Sequence, residues 1–170
     1  MAKRPPIGKC VHCLGDGLER NWDHVFPVGW YPDTTPENIE KWKVRSCAQC
    51  NSDLGRLESR FISLITLTLD PNARGAAGIP QKELRSLKPD IARDGVDARA
   101  RIEAAKRVAA SIYRDRFSCE NVYPTAGTAV ARNTADSIPL LIPAALFEKV
   151  TEKIVRGITY VQTGEFIDPH

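Results

Sequence analysis

The chain has 170 residues, an apolar fraction of 42% and a formal net charge of +3. This length suits one compact domain or a small module with a larger appendage, and the composition is that of a globular protein. Mild basicity is compatible with nucleic-acid binding without demonstrating it. The sequence has no apolar run of about 18 residues, so no membrane helix is expected. No apolar segment follows the basic start, so no secretory signal is expected. We therefore expect a cytoplasmic protein.

The first third of the chain differs in composition from the rest. Residues 1–9 are basic and proline-rich, which predicts a loose arm. Residues 10–56 are dense in Cys, Trp, Pro, Gly and Asn and lack long helical periodicity. This composition predicts a small module of turns and a hairpin, with a short strand around Asp23 to Phe26. Such a module needs a metal, because its core is too small to stabilise it alone.

The remainder of the chain is predicted to be mostly helical. Apolar residues recur at helical spacing from about Ser52 to Leu69, and Asn51 or Ser52 can cap the start. Further helices are predicted just after residue 80, over about 96–117, and from residue 143 to a break at residue 164. Residues 118–142 are irregular.

Four of the five cysteines form two Cys-x-x-Cys pairs, Cys10 with Cys13 and Cys47 with Cys50. Disulfides are rare in the cytosol, and paired knuckles of this spacing are typical of a tetrahedral zinc site. Four thiolates close the coordination shell, so the site is structural. The alternative is a redox motif, which predicts an exposed thiol of low pKa. Cys119 is expected to be a buried apolar residue and His12 an exposed knuckle residue.

Residues suited to phosphodiester hydrolysis lie between and after the two cysteine pairs. Asp23 and His24 are neighbours, followed by Pro27, then Asn38, and Asn51 comes directly after the last cysteine. Hydrolysis needs a base for water and a divalent cation at the scissile phosphate. A neutral imidazole supplies the first and oxygen ligands hold the second. Adjacent Asp and His can do both if a strand directs them to opposite sides.

The stretch from Cys10 to about Leu57 resembles the HNH endonucleases of the ββα-metal (His-Me finger) class in their zinc-ribbon form. The matching motifs occur in order: Cys10/Cys13, Asp23-His24 with Pro27, Asn38, and Cys47/Cys50 followed by Asn51. The last position is Asn rather than His, a variant that the family also uses. Several residues must recur in sequence for this match, so it is specific, but it covers less than a third of the chain.

The resemblance implies a role for each matched residue. His24 is the general base, Asp23 and Asn51 hold a catalytic Mg²⁺ or Mn²⁺, and Asn38 orients His24. The four cysteines hold a separate structural Zn²⁺. The implied activity is metal-dependent hydrolysis of DNA by an endonuclease. The alternative is a zinc-ribbon module that binds nucleic acid or protein without cutting, and such a module has no use for Asp23, His24 and Asn51 together.

The expected fold is α+β: a zinc-bound ββα-metal module at residues 1–60, then a mostly helical region at residues 61–170 of unassigned role. DNA is the expected partner, and a homodimer or a regulatory protein is possible through the second region. Trp22, Trp30 and Trp42 are expected to form the small core of the module rather than to stack on bases. Basic residues near the module can track phosphates or belong to a solvated face: Lys3, Arg4, Lys9, Lys41, Lys43, Arg45, Arg56 and Arg60.

Overall fold

The computed structural model of the chain describes residues 5–70, 72–112 and 142–168. Within these ranges the elements are β1 (Arg20–His24), β2 (Lys43–Cys47), α1 (Ala48–Thr66), α2 (Ile79–Ser86), α3 (Gly95–Ser111) and α4 (Ala144–Thr163). The strands form one antiparallel sheet, and α1 follows β2 directly. The predicted α+β class is confirmed, with a ββα unit followed by helices.

The helix bounds agree with the sequence for α2 and α4 and differ for α1 and α3. Helix α4 ends before Gly164, whose φ of 74° stops the helix, while α3 ends at Ser111 rather than near residue 117. Helix α1 begins at Ala48, four residues earlier than the apolar pattern indicates, because it starts directly after Cys47 and its first turn contains Cys50. Strand β1 also starts earlier, at Arg20. The predicted irregular region, residues 118–142, lies outside the described residues except for residue 142. Cys119 also lies outside them.

The contacts of the chain divide it into two compact units. The first unit contains residues 1–31, 35–59 and 148–170, and the second contains residues 32–34 and 60–147. The sequence-based boundary at residue 60 assigns the whole C-terminal part to one region, whereas the contacts group residues 148–170 with the cysteine module. In the part of the chain that the structure describes, no helix has the length and apolar character needed to cross a membrane.

The core of the first unit is aliphatic. Val11, Val25 and Val44 are at most 1% exposed, and four partly buried side chains pack on them: Phe26, Ile158, Tyr160 and Phe166. Backbone hydrogen bonds from Val11 to Arg45 (3.0 Å) and from Val25 to Trp42 (2.9 Å) hold the first two valines against the hairpin. The expected tryptophan core is wrong, since Trp22 and Trp42 are 39% and 36% exposed. Residues from the far end of the sequence complete this core instead.

The segment before the first cysteine is tied down rather than loose. The buried Arg20 guanidinium donates to the carbonyl oxygens of Pro6, Ile7 and Lys9 at 2.7, 3.3 and 3.0 Å. Gly8 also pairs with Leu18 in an isolated antiparallel bridge. The described part of the predicted arm is therefore ordered, because one arginine satisfies three of its carbonyl groups.

The second unit has its own polar contacts. Asp33 donates its backbone N–H to Ala77 (2.8 Å) and pairs through its carboxylate with Lys82. Gly78 adopts a φ of 77° beside Asp33, and a Cβ there would overlap the carboxylate, so only glycine suits this position. Asp94 caps α3 by accepting from the backbone of Val96 and Asp97, 2.9 and 2.8 Å away.

Gly157 of α4 lies directly against Val25 of the core, which makes it a test of the packing. A Cβ at Gly157 would lie 3.0 Å from both methyl carbons of Val25, while one at Gly55 of α1 would meet nothing within 4 Å. We expect Gly157→Ala to destabilise the protein by up to about 2 kcal/mol, since overpacking costs about 1–3 kcal/mol and alanine regains about 1 kcal/mol of helix propensity.

The matched change Gly55→Ala is expected to stabilise the protein by about 0.5–1 kcal/mol, because only the propensity gain applies. Urea unfolding of both variants measures the difference. Equal free energies of unfolding for the two variants would show that α4 does not pack on Val25 as described.

Candidate metal centre and the Asp23–His24 strand

The four paired cysteines form one cluster. Their Sγ atoms all lie within 4.8 Å of one another, and the Sγ atoms of Cys13 and Cys47 are 3.9 Å apart. A tetrahedral site with bonds of about 2.3 Å to sulfur has edges of about 3.8 Å, so the donor set fits a metal ion such as zinc. The predicted cluster of Cys10, Cys13, Cys47 and Cys50 is confirmed as a candidate metal site.

Three elements position these sulfur atoms. Cys10 and Cys13 flank a tight turn in which Leu14 donates to the Cys10 carbonyl (3.1 Å), while Cys47 ends β2 and Cys50 lies in the first turn of α1. The backbone N–H of Cys47 donates to Cys10 Sγ at 3.3 Å, and that of Cys50 donates to Cys47 Sγ at 3.4 Å. Such N–H donors stabilise thiolates, the form that binds metal.

The cysteine thiols differ in pKa, and a bound cation would stabilise their thiolate forms. Burial raises the pKa of Cys10, but hydrogen bonds from the backbone N–H groups of Cys13 and Cys47 outweigh it and lower the pKa to about 6. Burial, the hydrogen bond with Cys47 and the negative charge of Cys10 together raise the pKa of Cys50 well above its usual value. Four adjacent thiolates repel one another, and a bound cation removes that cost.

The alternation of β1 separates the two candidate catalytic side chains. Asp23 pairs with Val44 and is 7% exposed, on the buried face of the hairpin. His24 pairs with Lys43 and is half-buried on the other face. Trp22 shares that outer face, and the Arg45 guanidinium lies 5.9 Å from its ring centroid. The outer face of the hairpin, defined here as Trp22, His24, Lys43 and Arg45, is basic and accessible.

His24 has the electrostatics of a neutral imidazole. Burial and then the Lys43 ammonium lower the pKa of His24 below its ordinary value, against the opposing charge of Asp23. The ring is therefore unprotonated near neutral pH, and an unprotonated nitrogen is what a general base requires.

Asp23 is held by partners on both of its oxygen atoms. His12 Nε2 lies 2.9 Å from Oδ2, and Lys153 Nζ of α4 lies 3.3 Å from Oδ1. His12 is only 6% exposed, so the expectation of an exposed knuckle residue is wrong. Within the described residues its Nδ1 has no hydrogen-bond partner, which favours the tautomer with the proton on Nε2 donating to Asp23.

Lys153 was not predicted from the sequence, although it contacts two carboxylates of the first unit. It is 2% exposed, and its ammonium contacts the Glu58 carboxylate and the His24 carbonyl oxygen as well as Asp23. The ammonium thus donates two hydrogen bonds and forms an ion pair with Asp23. Burial raises the pKa of Glu58, and the hydrogen bond from Lys153 opposes that rise.

Arg156, one turn further along α4, makes a second buried connection. Its guanidinium donates to the His12 carbonyl oxygen and lies 2.8 Å from Glu152. Nothing local in the sequence marks either basic residue, since a Lys or Arg beside an apolar helical stripe normally faces solvent. Only the packing of α4 on the hairpin shows that both are inside.

The two asparagines differ in their positions. Asn51 is half-buried in the first turn of α1, seven residues before Glu58. This spacing places both on one face of the helix, about 10 Å apart along its axis. Asn38 is exposed in the loop between the strands, and among the described residues its side chain makes no hydrogen bond to His24. Asn51 thus shares a helix face with Glu58, whereas Asn38 has no hydrogen bond to His24 among the described residues.

In this arrangement Asp23 does not fit a divalent cation. One oxygen accepts from His12 and the other faces a buried ammonium, so a second cation there would meet a like charge in a medium of low dielectric constant. The cysteine cluster fits a metal ion, whereas the catalytic ion implied for Asp23 and Asn51 would meet the positive charge of Lys153.

Comparison of the chain with protein-family models, curated proteins and solved structures gives no match.

Proposed function

We propose that this chain is an endonuclease that hydrolyses DNA phosphodiester bonds with His24 as the general base. The observation that supports this most is the ββα order itself. Strand β1 ends on Asp23 and His24, β2 follows antiparallel, and α1 leaves from the cysteine cluster that braces the hairpin. This is the arrangement that the HNH resemblance implies.

The outer face of the hairpin suits a phosphodiester substrate. Lys43 and Arg45 lie beside His24 and Trp22 and supply positive charge for the phosphates. In the proposed reaction His24 takes a proton from water, the water oxygen bonds to phosphorus, and the bond to the 3′-oxygen breaks. His24 then returns its proton to solvent, and the leaving oxygen gains one. The dependence on Mg²⁺ or Mn²⁺ stays a prediction of the resemblance.

We further propose that the ion in the cysteine cluster is Zn²⁺ and that it does no chemistry. Four sulfur ligands close a tetrahedral shell and leave no position for water. The ion instead joins the turn at Cys10 to the end of β2 and the start of α1. It thereby fixes the hairpin that carries His24.

A second function is a zinc-ribbon module that binds nucleic acid or protein without cutting. One observation favours it: the Asp23 carboxylate is committed to His12 and Lys153, as in a structural ion pair. The outer face would then serve for binding alone, with Lys43 and Arg45 supplying positive charge for the phosphates.

A plasmid assay with zinc-loaded protein tests the proposal. Supercoiled plasmid is incubated with Mg²⁺ or Mn²⁺ and with native protein, His24→Ala or the control Glu40→Ala, which changes an exposed residue of the inter-strand loop. We expect cutting by the native protein and the control. His24→Ala should lose about 10²–10⁴-fold in rate, the usual contribution of a general base.

Two results would count against the nuclease proposal. Equal cutting by His24→Ala would show that His24 is not the base. If folded, zinc-loaded native protein binds DNA in a gel-shift assay but cuts neither DNA nor RNA, the binding-module function replaces the nuclease.

A further inference from the structure

We propose that Lys153 is the resident counter-ion of Asp23 and Glu58 and that it keeps divalent cations away from this carboxylate pair. The inference does not rest on the proposed function, because it concerns the carboxylate that only the HNH resemblance assigns as a cation ligand. It adds a role for α4, in which Lys153 lies 95 residues after Glu58 in the sequence.

The first argument is charge balance in a buried cluster. The side chains of Asp23, Glu58 and Lys153 are 9%, 13% and 1% exposed. Buried charges persist only when they are paired and hydrogen-bonded. Lys153 meets this condition because it hydrogen-bonds to Glu58 and to the His24 carbonyl oxygen and is ion-paired with Asp23. The ammonium balances the negative charge of the two carboxylates, as a metal ion bound between two carboxylate ligands would.

The second argument is competition for the same oxygen atoms. A divalent cation binds a carboxylate oxygen at about 2.0–2.6 Å. Lys153 Nζ already lies 3.3 Å from Asp23 Oδ1, and His12 Nε2 occupies Oδ2 at 2.9 Å. An incoming ion would therefore face a fixed positive charge at close range, and the burial of the site weakens solvent screening of that repulsion.

The third argument is that the Lys153 ammonium is buried and comes from a helix that packs into the core. Arg156 anchors the next turn of α4 to the His12 carbonyl, and Gly157 brings the helix backbone into contact with Val25. The Lys153 side chain is thus inserted from a helix that is itself packed into the core. Withdrawing the ammonium would break its hydrogen bonds to Glu58 and to the His24 carbonyl oxygen and its ion pair with Asp23.

The proposal predicts that removing the ammonium creates a divalent-cation site. Lys153→Met keeps most of the length of the stem but leaves Asp23 and Glu58 facing each other across the vacated position. Carboxylate oxygens are the hard ligands that Mn²⁺ and Mg²⁺ prefer. We expect Lys153→Met to bind Mn²⁺ at least about tenfold more tightly than native protein, because a like charge at ion-pair distance is lost.

The experiment is a Mn²⁺ titration of the zinc-loaded full chain, followed by electron paramagnetic resonance of free Mn²⁺. Lys149→Met is the matched control, because Lys149 lies one turn earlier on α4 with its side chain 63% exposed. Asp23→Asn added to Lys153→Met should abolish the gain. The charge-matched double variant Lys153→Met with Glu58→Gln should fold even if the single variant does not, and should bind Mn²⁺ more weakly than the single variant but more tightly than native protein.

Either of two outcomes overturns the proposal. The first is a folded Lys153 variant with unchanged Mn²⁺ affinity. The second is a crystal of native protein soaked in Mn²⁺ that shows an anomalous peak bonded to Asp23 while Lys153 still contacts it. The native crystal decides the question even if every Lys153 variant unfolds. Plasmid cutting is measured separately on native protein, so a gain in Mn²⁺ affinity in Lys153→Met, together with native protein that cuts neither DNA nor RNA, would remove the nuclease proposal and leave this one standing.

Discussion

Replacing Cys47 with Ser is expected to release zinc and unfold the first unit of the chain. Cys47 ends β2, its Sγ accepts from the backbone of Cys50, and its own N–H donates to Cys10 Sγ. The change to Ser removes one sulfur ligand and the Sγ that accepts from the Cys50 N–H, so the metal no longer joins the cysteine turn to α1. Zinc binding by small modules contributes about 10–16 kcal/mol, as much as or more than the roughly 5–15 kcal/mol that stabilises a typical protein.

Zinc content and amide spectra measure this result together. Native protein should contain about one zinc per chain. A strong chelator should unfold the native protein as Cys47→Ser does and should make the four thiols of the cluster reactive. Cys119→Ser is the control, since Cys119 lies outside both Cys-x-x-Cys pairs of the sequence, and it should keep its zinc. A zinc-free native protein with well-dispersed spectra and a disulfide within either pair would contradict the metal assignment and support the redox alternative.

The isolated fragment 1–60 is expected not to fold, even with zinc. It contains the whole sequence-defined module but lacks Ile158, Tyr160 and Phe166, which pack on the valine core. Loss of these contacts costs on the order of 5 kcal/mol, a large share of typical stability. The fragment also lacks Lys153, so Asp23 and Glu58 lose the cation between them.

Adding a peptide of residues 142–168 should restore the fold of the fragment in trans. Circular dichroism and amide spectra of the zinc-loaded mixture measure the recovery, and a peptide carrying Lys153→Glu serves as the control because its charge repels both carboxylates. A fragment 1–60 that folds alone with a cooperative transition would show that the cysteine module is independent of α4.

The sequence predicted the features that depend on local spacing. Two Cys-x-x-Cys pairs specify a four-sulfur cluster because the tight turn within each pair brings its two thiols together. The apolar stripe that begins at Pro143 and the break at Gly164 specify α4 because a helix needs periodicity and a stop, both of which are local. The alternation of β1 likewise separates Asp23 from His24 without any tertiary contact.

Some local predictions failed because packing outweighed a general tendency. Trp22 and Trp42 were expected inside, but three valines and the residues that α4 brings fill the core, so the tryptophans remain at the surface. The start was expected to be loose, but the buried Arg20 satisfies three of its carbonyl groups. Composition does not predict either outcome. Each depends on which residues, distant in the sequence, pack on the valines or donate hydrogen bonds to these carbonyl groups in the folded protein.

The sequence by itself thus determined the cysteine cluster, the ββα order and the position of His24 on an accessible strand. Only the tertiary structure decided the environment of Asp23. A carboxylate next to a histidine suggests a cation ligand, but the partners of Asp23 are His12, eleven residues away, and Lys153, 130 positions along the chain. Charge pairing in a protein interior depends on distance in space, and that distance is set by the packing of α4 against Val25 rather than by any local pattern.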